Sequence, residues 1–126
     1  MNEKLQTWRF GVDNDRLVDL VLAGRKTATT SIYHENSISE EGEKSVLLYE
    51  NEQAACITKT TKVIVTEFKN ITEELAELEG EGTFEEWKTA HIEFFRAIKP
   101  DFDENSKVEF EIMATAIPLA LDGGLR

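Results

Sequence analysis

Asn14-Asp15-Arg16-Leu17-Val18-Asp19-Leu20-Val21-Leu22-Ala23-Gly24 runs directly into Arg25-Lys26-Thr27-Ala28-Thr29-Thr30-Ser31. In the first half, Leu17, Leu20 and Val21 recur at helical spacing, and Val18 and Leu22 widen the apolar face. Asp13 or Asn14 can supply the N-cap oxygen. Gly24 stands where a helix-ending glycine belongs. The spacing therefore predicts a helix over residues 14–23, with Lys26 to Ser31 leaving its end as a loop or a strand.

Downstream, residues 33–44 are polar and acidic and read as an exposed loop. Short strands are expected at 45–49, 54–58 and 62–68. In the third, Val63, Val65 and Glu67 share one face and Ile64, Thr66 and Phe68 the other. Apolar residues on both faces predict a strand buried on both sides. Helices are expected at 72–78 and 83–98. The second opens on Thr83-Phe84-Glu85-Glu86, a capping-box sequence, and carries Phe84, Trp87, His91, Phe94 and Ile98 as one stripe. A last strand is expected at 107–114, where Val108, Phe110, Ile112 and Ala114 alternate with Glu109, Glu111 and Met113. Short strands with helices inserted between them make an α+β domain, expected as a small, mostly antiparallel β-barrel with helices packed around it.

The length of 126 residues is that of a single domain, 1–126, with a loosely held C-terminal tail from about Pro118. One cysteine, Cys56, cannot form an internal disulfide, and in its strand it reads as a small core residue. No apolar run is long enough for a targeting peptide or a membrane span, so a cytoplasmic location and no membrane partner are expected. The formal charge is −11, with 25 acidic residues against 14 basic ones. Tight, sequence-independent binding to long nucleic acids releases counterions through many Lys and Arg contacts, so this balance disfavours it. A local basic pocket for a small ligand stays open.

Metal chemistry is not expected. His34, His91 and Cys56 follow no ligand spacing, and His91, on the apolar stripe, reads as a packed structural histidine. Gly24-Arg25-Lys26-Thr27 lacks the upstream glycine of a P-loop and follows a helix instead of a strand. On its own residues the segment reads as a solvated turn.

A resemblance changes that reading. Trp8-Arg9-Phe10-Gly11, the helix from Leu17, and Gly24-Arg25-Lys26-Thr27-Ala28-Thr29-Thr30-Ser31 resemble the first half of the ASCH domain family. Glu79-Gly80-Glu81-Gly82, followed by Trp87, His91, Phe94 and Phe95, resembles its second signature. The resemblance implies a PUA-like barrel that binds RNA or nucleotides. One small bacterial branch removes the acetyl group of N4-acetylcytidine, and a ribonuclease activity has been ascribed to another member. By motif, the amidohydrolase's general base falls on Lys26, its nucleophile on Thr29 and its proton donor on Glu79, with Glu81 as the rival position. Arg25, Trp8 and Phe10 are the expected substrate-binding residues. The implied partner is a small nucleoside or nucleotide, with RNA as the alternative, and no cofactor is called for. The chain departs from that branch in carrying Ser31 where arginine is usual, and in its Gly80 and Gly82 pair.

The chemistry imposes two conditions. A threonine hydroxyl needs a base, and a lysine serves only when neutral, against an ordinary pKa of about 10.4. Lys26 and Glu79 are therefore expected to act as a coupled pair, whose useful form has a neutral amine and a protonated acid. Secondly, Lys26 and Thr29 are an odd number of positions apart. A regular strand would point them to opposite faces, so they share a site only if the segment turns.

Overall fold

A computed structural model describes residues 5–115 of the protein. The expected tail from Pro118 lies outside them. In order, the elements are β1 (Gln6–Trp8), α1 (Asn14–Leu22), β2 (Ala28–Ile32), β3 (Lys44–Leu48), β4 (Ala54–Glu67), α2 (Glu73–Glu77), α3 (Phe84–Ile98) and β5 (Lys107–Thr115).

The strands form one five-stranded sheet in the order β1-β3-β4-β5-β2. All pairs are antiparallel except β1 with β3, which is parallel. The fold is the expected α+β type, but the sheet is open: β1 and β2 are its two ends, and no ladder joins them among the described residues. It is curled, so that side chains from all five strands line a common cleft.

The two strands expected at 54–58 and 62–68 are one long strand, β4, with its register against β5 shifted between Thr60 and Lys62. The extra residue keeps the ladder going where the alternation of side chains is interrupted, which is why the sequence looks broken there. β4 is not buried on both sides. Val65 is exposed on one face, while Ile64 packs on the core from the other.

Two apolar clusters hold the layers together. Phe68, Trp87, Phe95, Phe102, Val108 and Phe110 pack under α2 and α3, and Val18, Val21, Leu47, Cys56 and Met113 pack under α1. Cys56 is thus the buried core residue expected. The α3 capping box forms as read, with reciprocal bonds between Thr83 and Glu86. The start of α1 differs from expectation. Asp13 has a left-handed backbone and makes no side-chain cap. Asn14 instead turns outward from the helix, accepting from the Phe10 N–H and donating to the Leu48 carbonyl. Its amide ties the segment after β1 and the end of β3 to the helix.

Candidate active site

The end of α1 places the first half of the site. The Gly24 N–H donates to the Val21 carbonyl and the Arg25 N–H to the Leu20 carbonyl, with Gly24 at φ +77°. This is a Schellman closure, which consumes the last helical carbonyls and turns the chain sharply. Lys26 leaves that turn with its own N–H on Leu20, and Thr27 donates to the Leu78 carbonyl at 2.7 Å. The second half follows α2. Gly80, at φ +70°, lies so close to Arg25 that a Cβ there would sit 2.2 Å from its carbonyl oxygen.

These two turns bring Lys26 against Glu79. Both side chains are buried, and Lys26 Nζ lies 2.9 Å from Glu79 Oε1 and 3.3 Å from Glu81 Oε2. Glu79 and Glu81 therefore both hold the lysine. The Phe10 ring lies 5.3 Å from the ammonium, within cation–π range. The other oxygen of Glu79, Oε2, accepts from the Thr30 hydroxyl at 2.5 Å.

The strand alternation explains this choice of hydroxyl. Within β2, Ala28 and Thr30 face inward and are buried, so Thr30, not Thr29, reaches Glu79, while Lys26 comes to it from the turn before the strand. Thr29 points to the other face of β2 and lines a cavity of about 470 Å³ together with Lys26, Glu79 and His91. Its hydroxyl has no protein hydrogen-bond partner among the described residues. Trp8 and Phe10 lie on the adjoining cleft, with the Trp8 indole N–H donating to Thr58 Oγ1 at 3.1 Å. Arg25 is exposed and lines neither cavity, so the structure does not bring it to the site.

His91 is where the sequence reading falls short. Its Nδ1 is 2.8 Å from the Trp87 carbonyl, and Nε2 is 3.5 Å from Glu79 Oε1. A carbonyl only accepts, so Nδ1 carries a hydrogen, and Nε2 can donate to Glu79 only as imidazolium. The apolar stripe of α3 was the misleading signal, because His91 sits on it while its ring edge looks into the cavity. Its place in the second signature, after Glu79-Gly80-Glu81-Gly82, was the clue.

The cluster shifts both titrations. Burial alone would raise the Glu79 carboxyl, but His91 and Lys26 outweigh it and hold it at about 2. Burial alone would lower His91, yet the bond and charge of Glu79 lead in pushing it above its ordinary 6.5. A depressed carboxyl contributes stability above its ordinary 4.5 that is lost as the pH falls towards 2. A raised imidazole contributes below 6.5 and is lost as the pH rises through its folded value. The cluster should therefore stabilise the protein most between pH 4.5 and 6.5. Denaturant titrations across pH are expected to show His91→Gln removing part of the alkaline decline. Equal slopes for both proteins above 6.5 would mean that His91 is not held as the cation.

Comparison with known proteins decides the family. The ASCH domain model matches residues 6–114. The chain belongs to the ASCH domain family. This ASCH domain is similar to the crystal structure of an ASCH domain from Lactobacillus crispatus JV V101, at 23% identity and a TM-score of 0.82, over 89% of this chain and 79% of that one. It is also similar to protein EF3133 from Enterococcus faecalis V583, at 26% identity and a TM-score of 0.82, over 94% and 84%. Among curated proteins, none matches at a significant level. Among the described residues of this ASCH domain no helix is long and apolar enough to cross a membrane, and no His, Cys, Asp and Glu side chains cluster as a metal site would need.

Proposed function

We propose that the protein is an amidohydrolase acting on an acylated cytosine nucleoside such as N4-acetylcytidine. The observation that supports this most is the buried Lys26–Glu79 pair, 2.9 Å apart, opening on a cavity that Thr29 also lines. Buried ion pairs contribute little to stability as such, so one built into a cavity wall is a candidate for chemistry.

At rest the pair is ionic. Where the pH leaves His91 neutral, a ligand that fills the cavity and expels water penalises both charged forms of the pair, favouring transfer of the Lys26 proton along the hydrogen bond to Glu79. The neutral amine then takes the proton of Thr29 Oγ1 as that oxygen adds to the acyl carbonyl carbon. The C–N bond breaks, and Glu79 gives its proton to the departing exocyclic nitrogen. This restores the ion pair and leaves the acyl group as a threonine ester. Water hydrolyses the ester, freeing the hydroxyl and a carboxylic acid. Thr30 orients Glu79 throughout, and the Phe10 and Phe94 walls suit a small apolar acyl group.

Purified protein incubated with N4-acetylcytidine should release cytidine, followed by chromatography. Lys26→Ala and Thr29→Ala should each lower kcat/KM by about a thousandfold, and Thr30→Val by less, since it acts through Glu79. Folded protein that gives no cytidine would overturn the proposal.

A second reading, a binding module for RNA or a modified nucleotide, is favoured by one fact. With Glu79 held at about 2, Lys26 faces the cavity as half of an ion pair, fit to anchor a ligand oxygen. It predicts retention of ligand without product and, for RNA, affinity that falls with added salt.

A further inference from the structure

The cleft has a second end that the proposed chemistry does not use. Beyond Thr29 it continues into a cavity of about 320 Å³ on the concave face of the sheet. Its lining is built by register. Thr29 on β2 stands directly opposite Glu111 on β5. Across β5, the Thr60 hydroxyl of β4 donates to Glu111 Oε2, and from the loop before β3 the Ser39 hydroxyl donates to Oε1 at 3.1 Å. Thr58 and Ser45, partners in the β3–β4 ladder, continue the row towards Trp8.

Such a surface has a definite chemistry. A carboxylate offers about four acceptor positions, and two protein hydroxyls occupy one on each oxygen. The free positions accept hydroxyl or N–H donors entering the cleft. Each lining hydroxyl that donates to Glu111 still has lone pairs to receive a ligand hydroxyl. Glu111 and Glu43 give this end two negative charges against one cation, Arg9, which is exposed. A phosphate there would meet repulsion, whereas an uncharged polyol would meet acceptors and donors in alternation. Trp8 supplies the flat apolar edge on which a ring can rest.

We propose that this end is a subsite for the sugar of an uncharged nucleoside, with Glu111 accepting hydrogen bonds from its diol, and that it selects against the phosphorylated form. The inference rests on the amidohydrolase reading for the group at the other end, and it adds what that reading leaves open: the residues that read the sugar, and selection against a 5′-phosphate.

The test measures kcat and KM for N4-acetylcytidine, for N4-acetylcytosine and for the nucleoside 5′-monophosphate. The nucleoside should have the lowest KM, about tenfold below either of the others, the worth of one hydrogen bond to a charged group. Glu111→Gln keeps an oxygen acceptor and removes the charge. It should raise KM for the nucleoside a few-fold more than for the free base, and narrow the gap to the monophosphate. Ser31→Ala, an exposed change on the same face of β2, should shift only the sugar-bearing ligands, by a few-fold. Equal KM values for base and nucleoside, or a Glu111→Gln loss that falls on kcat for all three, would overturn the subsite. If nothing is hydrolysed, the amidohydrolase reading fails alone. Calorimetry with cytidine, cytosine and cytidine monophosphate then decides the subsite: preference for cytidine that Glu111→Gln reduces upholds it, and equal binding sinks it.

Discussion

Replacing Glu79 with alanine is expected to destabilise the protein by about 3 to 5 kcal/mol, the usual cost of stranding one half of a buried ion pair. The change removes the acceptor for three groups at once: Lys26 Nζ, the Thr30 hydroxyl and His91 Nε2. Glu81 softens the loss, since it already reaches Lys26 at 3.3 Å, but it is part-exposed and touches neither Thr30 nor His91. For a domain of this size the drop in Tm would be about 10 to 20 °C. The double change Lys26→Met with Glu79→Leu should recover much of it, because apolar side chains of similar size carry no desolvation cost. Thermal melts of the three variants check this. A Glu79→Ala protein within about 1 kcal/mol of the parent would show that the pair is not buried in solution.

The second large effect is expected at Gly80. Alanine there faces two separate costs. The backbone lies at φ +70°, which disfavours any side chain by about 1 to 2 kcal/mol, and the new Cβ would sit 2.2 Å from the Arg25 carbonyl oxygen. That oxygen belongs to a turn pinned by two bonds to Leu20 and one to Leu78, so it cannot step aside alone. Gly24 is the internal control. It has φ +77° but open space where a Cβ would go. Gly24→Ala should cost about 1 to 2 kcal/mol, and Gly80→Ala at least twice that, with loss of activity because the turn carries Glu79 and Glu81. Denaturant melts of the two variants, side by side, separate conformation from contact. Equal losses would mean that the two turns are not packed as closely as the structure has them.

Much of this was legible in the chain, and the misses have physical causes. The helix ending at Gly24 and the capping box at Thr83 are local signals, set by residues within one turn of each other, and both were read correctly. The open sheet was not legible, because whether β1 meets β2 depends on how far the sheet curls, a property of the whole. The three-residue strand β1, parallel to β3, is too short to leave a periodic mark. At the site, the motif led to Lys26, Thr29 and Glu79, and all three line one cavity. Thr30 and His91 were missed for opposite reasons. Thr30 follows from simple alternation once β2 is known to begin at Ala28. His91 was hidden by its apolar neighbours, since a half-buried ring can pack on Trp87 and Phe95 and still present one nitrogen to a carboxylate. Arg25 erred the other way: its charge made it a candidate, while the helix closure turns it to solvent.

The spacing of the Lys26–Glu79 pair has a consequence for how the protein comes apart. The two residues are 53 positions apart, and Thr30 and Glu79 are 49 apart. Closing such a span is entropically costly, and two charges gain by meeting only once water has been driven out around them. The pair is therefore expected to form after the folding barrier has been crossed, when the β2 and α2 ends of the chain are already packed. A contact made that late acts as a latch: it leaves the folding rate nearly unchanged and slows unfolding. Stopped-flow measurements on Glu79→Ala should find the lost stability almost wholly in a faster unfolding rate. The residues proposed to do the chemistry would then also set how long each folded molecule lasts.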